Sequence, residues 1–256
     1  MKVRSTVVAD FLTCPRKAYY AYELGLKRLG PPDPHLFFGQ VVHSAIKVLH
    51  EEGLESALKL IDSVDWGDIH HAVKSRDVAK SLLRVYAGAS PKMKIVALEK
   101  EFVVKVGSHD WIGRFDGIAE IGGLKYVMEH KTTQGWSFQV KPNNQLIAYF
   151  LGGRRWYKDV QGVVVNLLNA KAVAVRRIVV TYGEDEIEEW QENMKAVLAY
   201  YKRCRTSGVF PRNPGACTMW FRECEFYPLC TSFGATRDAL MESLYEVDPE
   251  RKEMSW

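Results

Sequence analysis

Two β-prone runs meet at Gly122-Gly123 inside residues 113–131, and this stretch limits the possible folds more than any other part of the chain. Apolar residues flank the glycine pair on both sides, which predicts two short strands joined by a tight turn. Asp116 falls on the first strand. On the second, Glu129 and Lys131 are two residues apart, so their side chains leave the same face of a sheet. Three charged groups thus converge beside an apolar hairpin, where burial is costly unless a ligand satisfies them. Two carboxylates suit a hard divalent cation such as magnesium, with phosphate and water completing its shell. A lysine beside them can hold or activate an attacking water and offset charge building on phosphorus.

The cysteines add a second constraint. Cys14, Cys204, Cys217, Cys224 and Cys230 are an odd number. The opening residues are not expected to act as a secretory signal, because Asp10 interrupts their apolar run, and no apolar run is long enough to cross a bilayer. An intracellular, reducing setting is expected, and disulfides are the less expected use of these thiols. Cys217, Cys224 and Cys230 follow a C-x6-C-x5-C spacing in a segment of turns and aromatics, so they can wrap around one centre. Zinc or an iron-sulfur cluster each takes four soft ligands, and Cys14 is the natural fourth. Cys204, near the end of a long helix, is expected to be an ordinary thiol.

The remaining chain reads as follows. Ser5 caps a first helix, Cys14-Pro15 marks a break, and Arg16, Lys17, Tyr19, Tyr20 and Tyr22 sit on a second. That second piece is either a helix with tyrosines in the core or a nucleic-acid face of cations and rings. Residues 37–50 form an amphipathic helix carrying His43 and His50. Residues 54–89 are helical and polar enough to lie outside, with 65–71 a solvated loop. A strand spans 94–106, with Glu99 and Glu101 on one face. A helix over 142–152 aligns Gln145 with Tyr149. Strands at 161–168 and 172–181 and a helix over 184–205 follow. Hydrophobic content of 47% and 26% charged residues are those of an ordinary globular chain, and the net charge of +4 favours an anionic partner.

Several of these motifs occur in a familiar order. G-x-x-D at 113–116, then E-x-K at 129–131, resembles the active site of the PD-(D/E)XK nuclease superfamily in its RecB-like branch. G-x-x-x-H ending at His43 is similar to that family's histidine motif, and Gln145 with Tyr149 to its Q-x-x-x-Y motif. Ser5 with Cys14-Pro15-Arg16-Lys17, and the C-terminal cysteines, resemble the iron-sulfur nucleases of phages and of CRISPR spacer acquisition. Those relatives have a tighter first gap, C-x-x-C, than the C-x6-C here.

The resemblance implies one α/β domain over residues 1–256, with a restriction-endonuclease-like core in which helices flank a central mixed sheet. Segments 1–30 and 206–232 would form a four-cysteine iron-sulfur region. It further implies Mg2+ or Mn2+ held by His43, Asp116, Glu129 and the backbone carbonyl of His130, with Lys131 positioning water. Cys14, Cys217, Cys224 and Cys230 would hold a structural 4Fe-4S cluster. Gln145, Tyr149, Arg16 and Lys17 would contact DNA, single-stranded or with ends. The implied activity is phosphodiester hydrolysis on DNA, as an exonuclease in recombination, repair or processing, in the cytoplasm of a prokaryotic or phage-infected cell. A homo-oligomer and recombination or CRISPR-type protein partners remain open. Glu101 and His50 are further candidates for the metal site. The alternatives are a catalytically inactive nucleic-acid-binding protein and a zinc-stabilised interaction module on the same fold.

Overall fold

The structure is a computed structural model, and it describes residues 2–31, 33–67, 73–89, 93–219 and 222–254. His70 and His71 of the expected solvated loop lie outside the described residues. The chain runs β1 (Lys2–Val3), α1 (Ser5–Thr13), α2 (Pro15–Ala18), a π-helical turn (Tyr19–Glu23), β2 (Leu26–Arg28), α3 (Pro34–Glu52), α4 (Leu54–Ser63) and α5 (Arg76–Ala89). Then come β3 (Lys94–Val106), β4 (His109–Ile121), β5 (Leu124–Thr133), α6 (Asn144–Trp156), β6 (Val160–Asn169), β7 (Ala174–Val180) and α7 (Glu184–Ser207). The last elements are β8 (Thr218–Met219), β9 (Arg222–Glu223), α8 (Tyr227–Thr231), α9 (Gly234–Leu244), β10 (Tyr245–Val247) and α10 (Pro249–Glu253). Among the described residues no helix is long and apolar enough to cross a membrane.

Two compact units share these elements. The first to describe comprises Pro32–Val104 and Gly113–Glu184. Its sheet has the order β4-β5-β6-β7, with β3 also pairing β4. The β4–β5 and β6–β7 pairs are antiparallel and β5–β6 is parallel, so the sheet is mixed. Gly122 and Gly123 both have positive φ, +60° and +81°, the conformation that a two-residue hairpin turn of matching twist demands. Nearly every residue of β6 is buried, because α5 and α6 both pack on it. The expectation of a central mixed sheet flanked by helices is met.

Helix α3 starts where Asp33 accepts a hydrogen bond from the His35 N–H at 2.6 Å and Pro34 takes the first position. Phe38, Val41, Val42, Ala45 and Ile46 make its buried stripe. Helices α4 and α5, expected outside, instead contribute Ala57, Ile61, Ala79, Leu82, Leu83 and Tyr86, all fully buried, to a core shared with α3. Their polar composition is that of one wet face, and their apolar residues recur at helical spacing on the other. Burying side chains such as Ile61 or Leu82 contributes about 1.5–3 kcal/mol each.

The second unit comprises Met1–Pro31, Lys105–Ile112 and Asp185–Trp256. Here β1 runs parallel to the start of β4, with Lys2 opposite Asp110 and Val3 opposite Trp111. Ser5 is the first residue of α1, and Arg4 occupies the cap position. The Ser5 hydroxyl is used otherwise, accepting a hydrogen bond from the Trp111 indole at 3.1 Å. Phe11 packs on Tyr200 and Tyr201 of α7, with ring centroids 5.2 and 4.9 Å away. At the far end of the chain, β10 pairs antiparallel with β2, Tyr245 lying opposite Arg28.

Candidate active site and cysteine cavity

Regular β4–β5 pairing runs from the turn back to Gly117 and Met128. At Asp116 the ladder gives way: its Oδ2 accepts the His130 backbone N–H at 2.7 Å. A side chain thus takes a bond that a strand would otherwise make, and the strands open there. The other oxygen, Oδ1, lies 3.3 Å from His43 Nδ1. His43 reaches it because Gly39, one turn earlier on α3, lies against Thr132; a Cβ there would sit 3.3 Å from the threonine hydroxyl.

Glu129 is 3% exposed and pairs with Lys131 Nζ at 2.6 Å. The same ammonium donates to Gln145 Oε1 at 2.8 Å. Gln145 Nε2 donates to the Tyr149 hydroxyl at 3.0 Å, and that hydroxyl donates to the Arg114 carbonyl at 2.9 Å. Helix α6 is set for this by Asn143, whose side chain accepts from the Gln145 and Leu146 N–H groups. The expected Pro142 start falls just short, and Asn143 is the cap.

The charges are strongly coupled. Burial, followed by the Asp116 charge, pushes Glu129 up to about 7, with Lys131 opposing. Burial also works to raise Asp116, but its bond to His43, the nearby imidazoles and the His130 N–H hold it well below the usual carboxylate range. Burial opposes a charged His43, yet its bond to Asp116 and the negative charge of both acids raise it. His130 is buried and pushed down to about 3 by desolvation. Neither of its ring nitrogens has a hydrogen-bond partner among the described residues.

A cavity of about 470 Å³ opens beside His43 and Asp116, lined also by Lys47, Glu99, Arg114 and His130; Glu129, Lys131 and Gln145 are not among its lining residues. Glu99 was placed by sequence on the same face as Glu101. It has a φ of +45°, which breaks the strand alternation and turns it to Lys47 and Arg114. Glu101 is exposed and does not line the cavity. His50 is engaged elsewhere, its Nε2 lying 2.9 Å from the Tyr86 hydroxyl.

Among the described residues no three His, Cys, Asp or Glu side chains are gathered so as to hold a metal ion. Each acid is instead capped by its own neighbour, Asp116 by His43 and Glu129 by Lys131. The donor chemistry fits a hard divalent cation all the same. Burial and then the Asp116 charge hold Glu129 up, and a cation beside the two carboxylates would offset both effects.

In the other unit, Cys14, Cys217, Cys224 and Cys230 all line one cavity of about 180 Å³. All four are free thiols, and Cys204, buried in α7, is not among the lining residues. The Asn213 N–H points at Cys14 Sγ from 3.4 Å. Burial raises Cys224 and Cys230; the Phe226 N–H and Lys17 work against the first shift, Arg212 and Arg16 against the second. The four soft donors thus border one cavity with amide and cationic groups nearby, while among the described residues no three of them are gathered on one ion. Lys17 also pairs with Asp10 at 2.6 Å, and Arg16 Nε donates to the Phe210 carbonyl at 2.8 Å.

The family model of the PD-(D/E)XK nuclease superfamily matches residues 5–231. No curated protein sequence matches the chain. A candidate exonuclease from Eubacterium rectale, solved at 2.19 Å resolution, is 13% identical, with a TM-score of 0.54 over 84% of this chain and 85% of that one. At that identity the likeness concerns the fold. The solved structure of SSO0001 is 16% identical and covers 78% of this chain and 76% of that one, with a TM-score of 0.40.

Proposed function

The chain belongs to the PD-(D/E)XK nuclease superfamily, and from that premise we propose that it is a Mg2+- or Mn2+-dependent deoxyribonuclease acting as an exonuclease. The observation that carries this reading is the linkage of a buried, charge-strained Glu129 to Lys131, and of Lys131 through Gln145 and Tyr149 to the backbone of Arg114. That chain of bonds fixes the ammonium in direction as well as position, which a solvated lysine does not need.

His43, Asp116 and Glu129, with the backbone carbonyl of His130, would hold the cation. When bound it supplies Lewis acidity toward phosphate and acidifies a water. The protein's own part is preorganisation. Lys131 directs an N–H at the phosphoryl oxygens and attacking water, and Gln145 keeps it from turning away. Tyr149 holds Gln145 in turn. Arg114 and Lys47, on the cavity wall, supply positive charge for the flanking phosphates.

In the same reading Cys14, Cys217, Cys224 and Cys230 carry a structural 4Fe-4S cluster in a region formed by residues 1–30 and 206–232 of one nuclease domain. Supporting this is the single cavity that all four border, although among the described residues no three of them converge on one ion. Arg16 and Lys17 serve DNA binding from beside it. The setting is cytoplasmic, in recombination, repair or processing of DNA.

The test is digestion of 5′- and 3′-labelled single- and double-stranded DNA by anaerobically purified protein, with and without manganese. Asp116→Ala and Lys131→Ala are expected to abolish cleavage and to leave folding and iron content intact. Cleavage at the parent rate by either variant would refute the assignment.

A further inference from the structure

Phe233 is 67% exposed, more than any other large hydrophobic residue among those described. It stands immediately before α9, and two guanidinium groups lie against its ring. Arg212 Cζ is 5.5 Å and Arg237 Cζ 5.3 Å from the ring centroid. Arg237 is not free to wander: its Nε donates to the carbonyls of Leu229 and Ser232 at 3.1 and 2.9 Å. Arg237 also lines a neighbouring cavity of about 200 Å³ with Arg16, Tyr19, Tyr20 and Phe210. Among the described residues no aspartate or glutamate lines that cavity, nor the cysteine cavity that Arg212 borders.

A phenylalanine kept in water wastes the stabilisation that burial offers. Its cation–π contacts at an exposed site stabilise the fold by less than burying the ring would. The combination of a largely exposed aromatic ring with two guanidinium groups over it, one of them held by backbone carbonyls, matches one ligand class well. An unpaired nucleobase stacks on the ring while the adjoining phosphates meet the arginines. Bases inside a duplex are already stacked on each other and offer no face to such a ring. An acidic peptide would use the arginines but has no need of the exposed ring.

We infer that Phe233, flanked by Arg212 and Arg237, is a stacking platform for an unpaired nucleotide, so that the protein engages single-stranded DNA or a single-stranded end. The inference rests on the nuclease reading for its choice of DNA and extends it to the strand state of the substrate. Phe233 takes no part in the cleavage chemistry.

The experiment is fluorescence anisotropy on the full chain in EDTA, with a labelled oligothymidylate and a blunt duplex of two fully paired strands as probes. Phe233→Ala is expected to weaken oligothymidylate binding about tenfold with the duplex affinity unchanged, while Phe233→Trp retains both. Arg212→Ala is expected to weaken binding and lower the dependence of log Kd on log salt by about one. Equal affinity of parent and Phe233→Ala for the single strand overturns the inference, as does an equal loss for both probes. Failure of this inference is separable from failure of the nuclease reading. Magnesium-dependent digestion with no dependence of binding on Phe233 removes the platform alone; Phe233-dependent binding without digestion removes the nuclease alone.

Discussion

Replacing Glu129 with glutamine in cation-free protein probes the strain at the centre of the site. The amide keeps the shape of the carboxylate, and its oxygen can still accept from Lys131, so packing changes little. A rise from the ordinary 4.5 to about 7 makes ionising Glu129 in the folded chain cost about 3 kcal/mol more than in the unfolded one. The folded pKa lies above the unfolded one. Stability from this group is therefore complete below about pH 4.5 and is lost as pH rises through about 7. Urea unfolding in EDTA should show Glu129→Gln gaining on the parent as the pH goes from about 5 to about 8, by about 2–3 kcal/mol. Manganese should close the gap at the upper end by stabilising the parent more than the variant. Parallel stability curves, separated by a constant amount across that range, would refute the claim that Glu129 is held against its charge.

Tyr149→Phe removes both the bond to the Arg114 carbonyl and the acceptor for Gln145; it should cost about 1–2 kcal/mol in urea unfolding and about tenfold in cleavage rate, through a loosened Lys131. Cys14→Ser should lose iron and solubility together, read by iron analysis and visible absorption, and full iron occupancy in that variant would remove Cys14 from the ligand set. Gly162→Ala would put a methyl 2.2 Å from the Val180 carbonyl oxygen between β6 and β7. The backbone must shift, so a loss of about 3 kcal/mol is expected by thermal or urea unfolding.

Local rules reached most of the fold. The hairpin was legible because a glycine pair between alternating runs has few other solutions, and α3 because Asp33-Pro34 precedes a clear apolar stripe. Gln145 and Tyr149 were legible as a pair because helical spacing alone puts them on one face. What escaped the sequence depends on contacts between distant segments. Nothing near Asp116 signals that its carboxylate takes the His130 N–H and parts the strands. The turn of Glu99 into the cavity comes from a left-handed backbone within a strand, which neither Leu98 nor Lys100 advertises. The burial of α4 and α5 was hidden by averaging polarity around each helix rather than reading it face by face. Phe233 could have been noticed as an aromatic between loop residues, but its exposure and its two arginines are tertiary facts.

The pairing of β2 with β10, secured by Arg251 donating to the Leu26 carbonyl at 2.6 Å across a separation of 225 residues, sets a schedule for synthesis. A ribosome delivers Leu26 early, yet its strand must wait for almost the whole remaining chain to emerge before meeting its mate. During that interval the sheet around Asp116 and Glu129 has all its own strands in hand. A nascent chain stalled before residue 245 should therefore leave the segment around Leu26–Arg28 open to protease, while β1 and α1, whose partners on β4 and α7 are already made, are protected with the sheet.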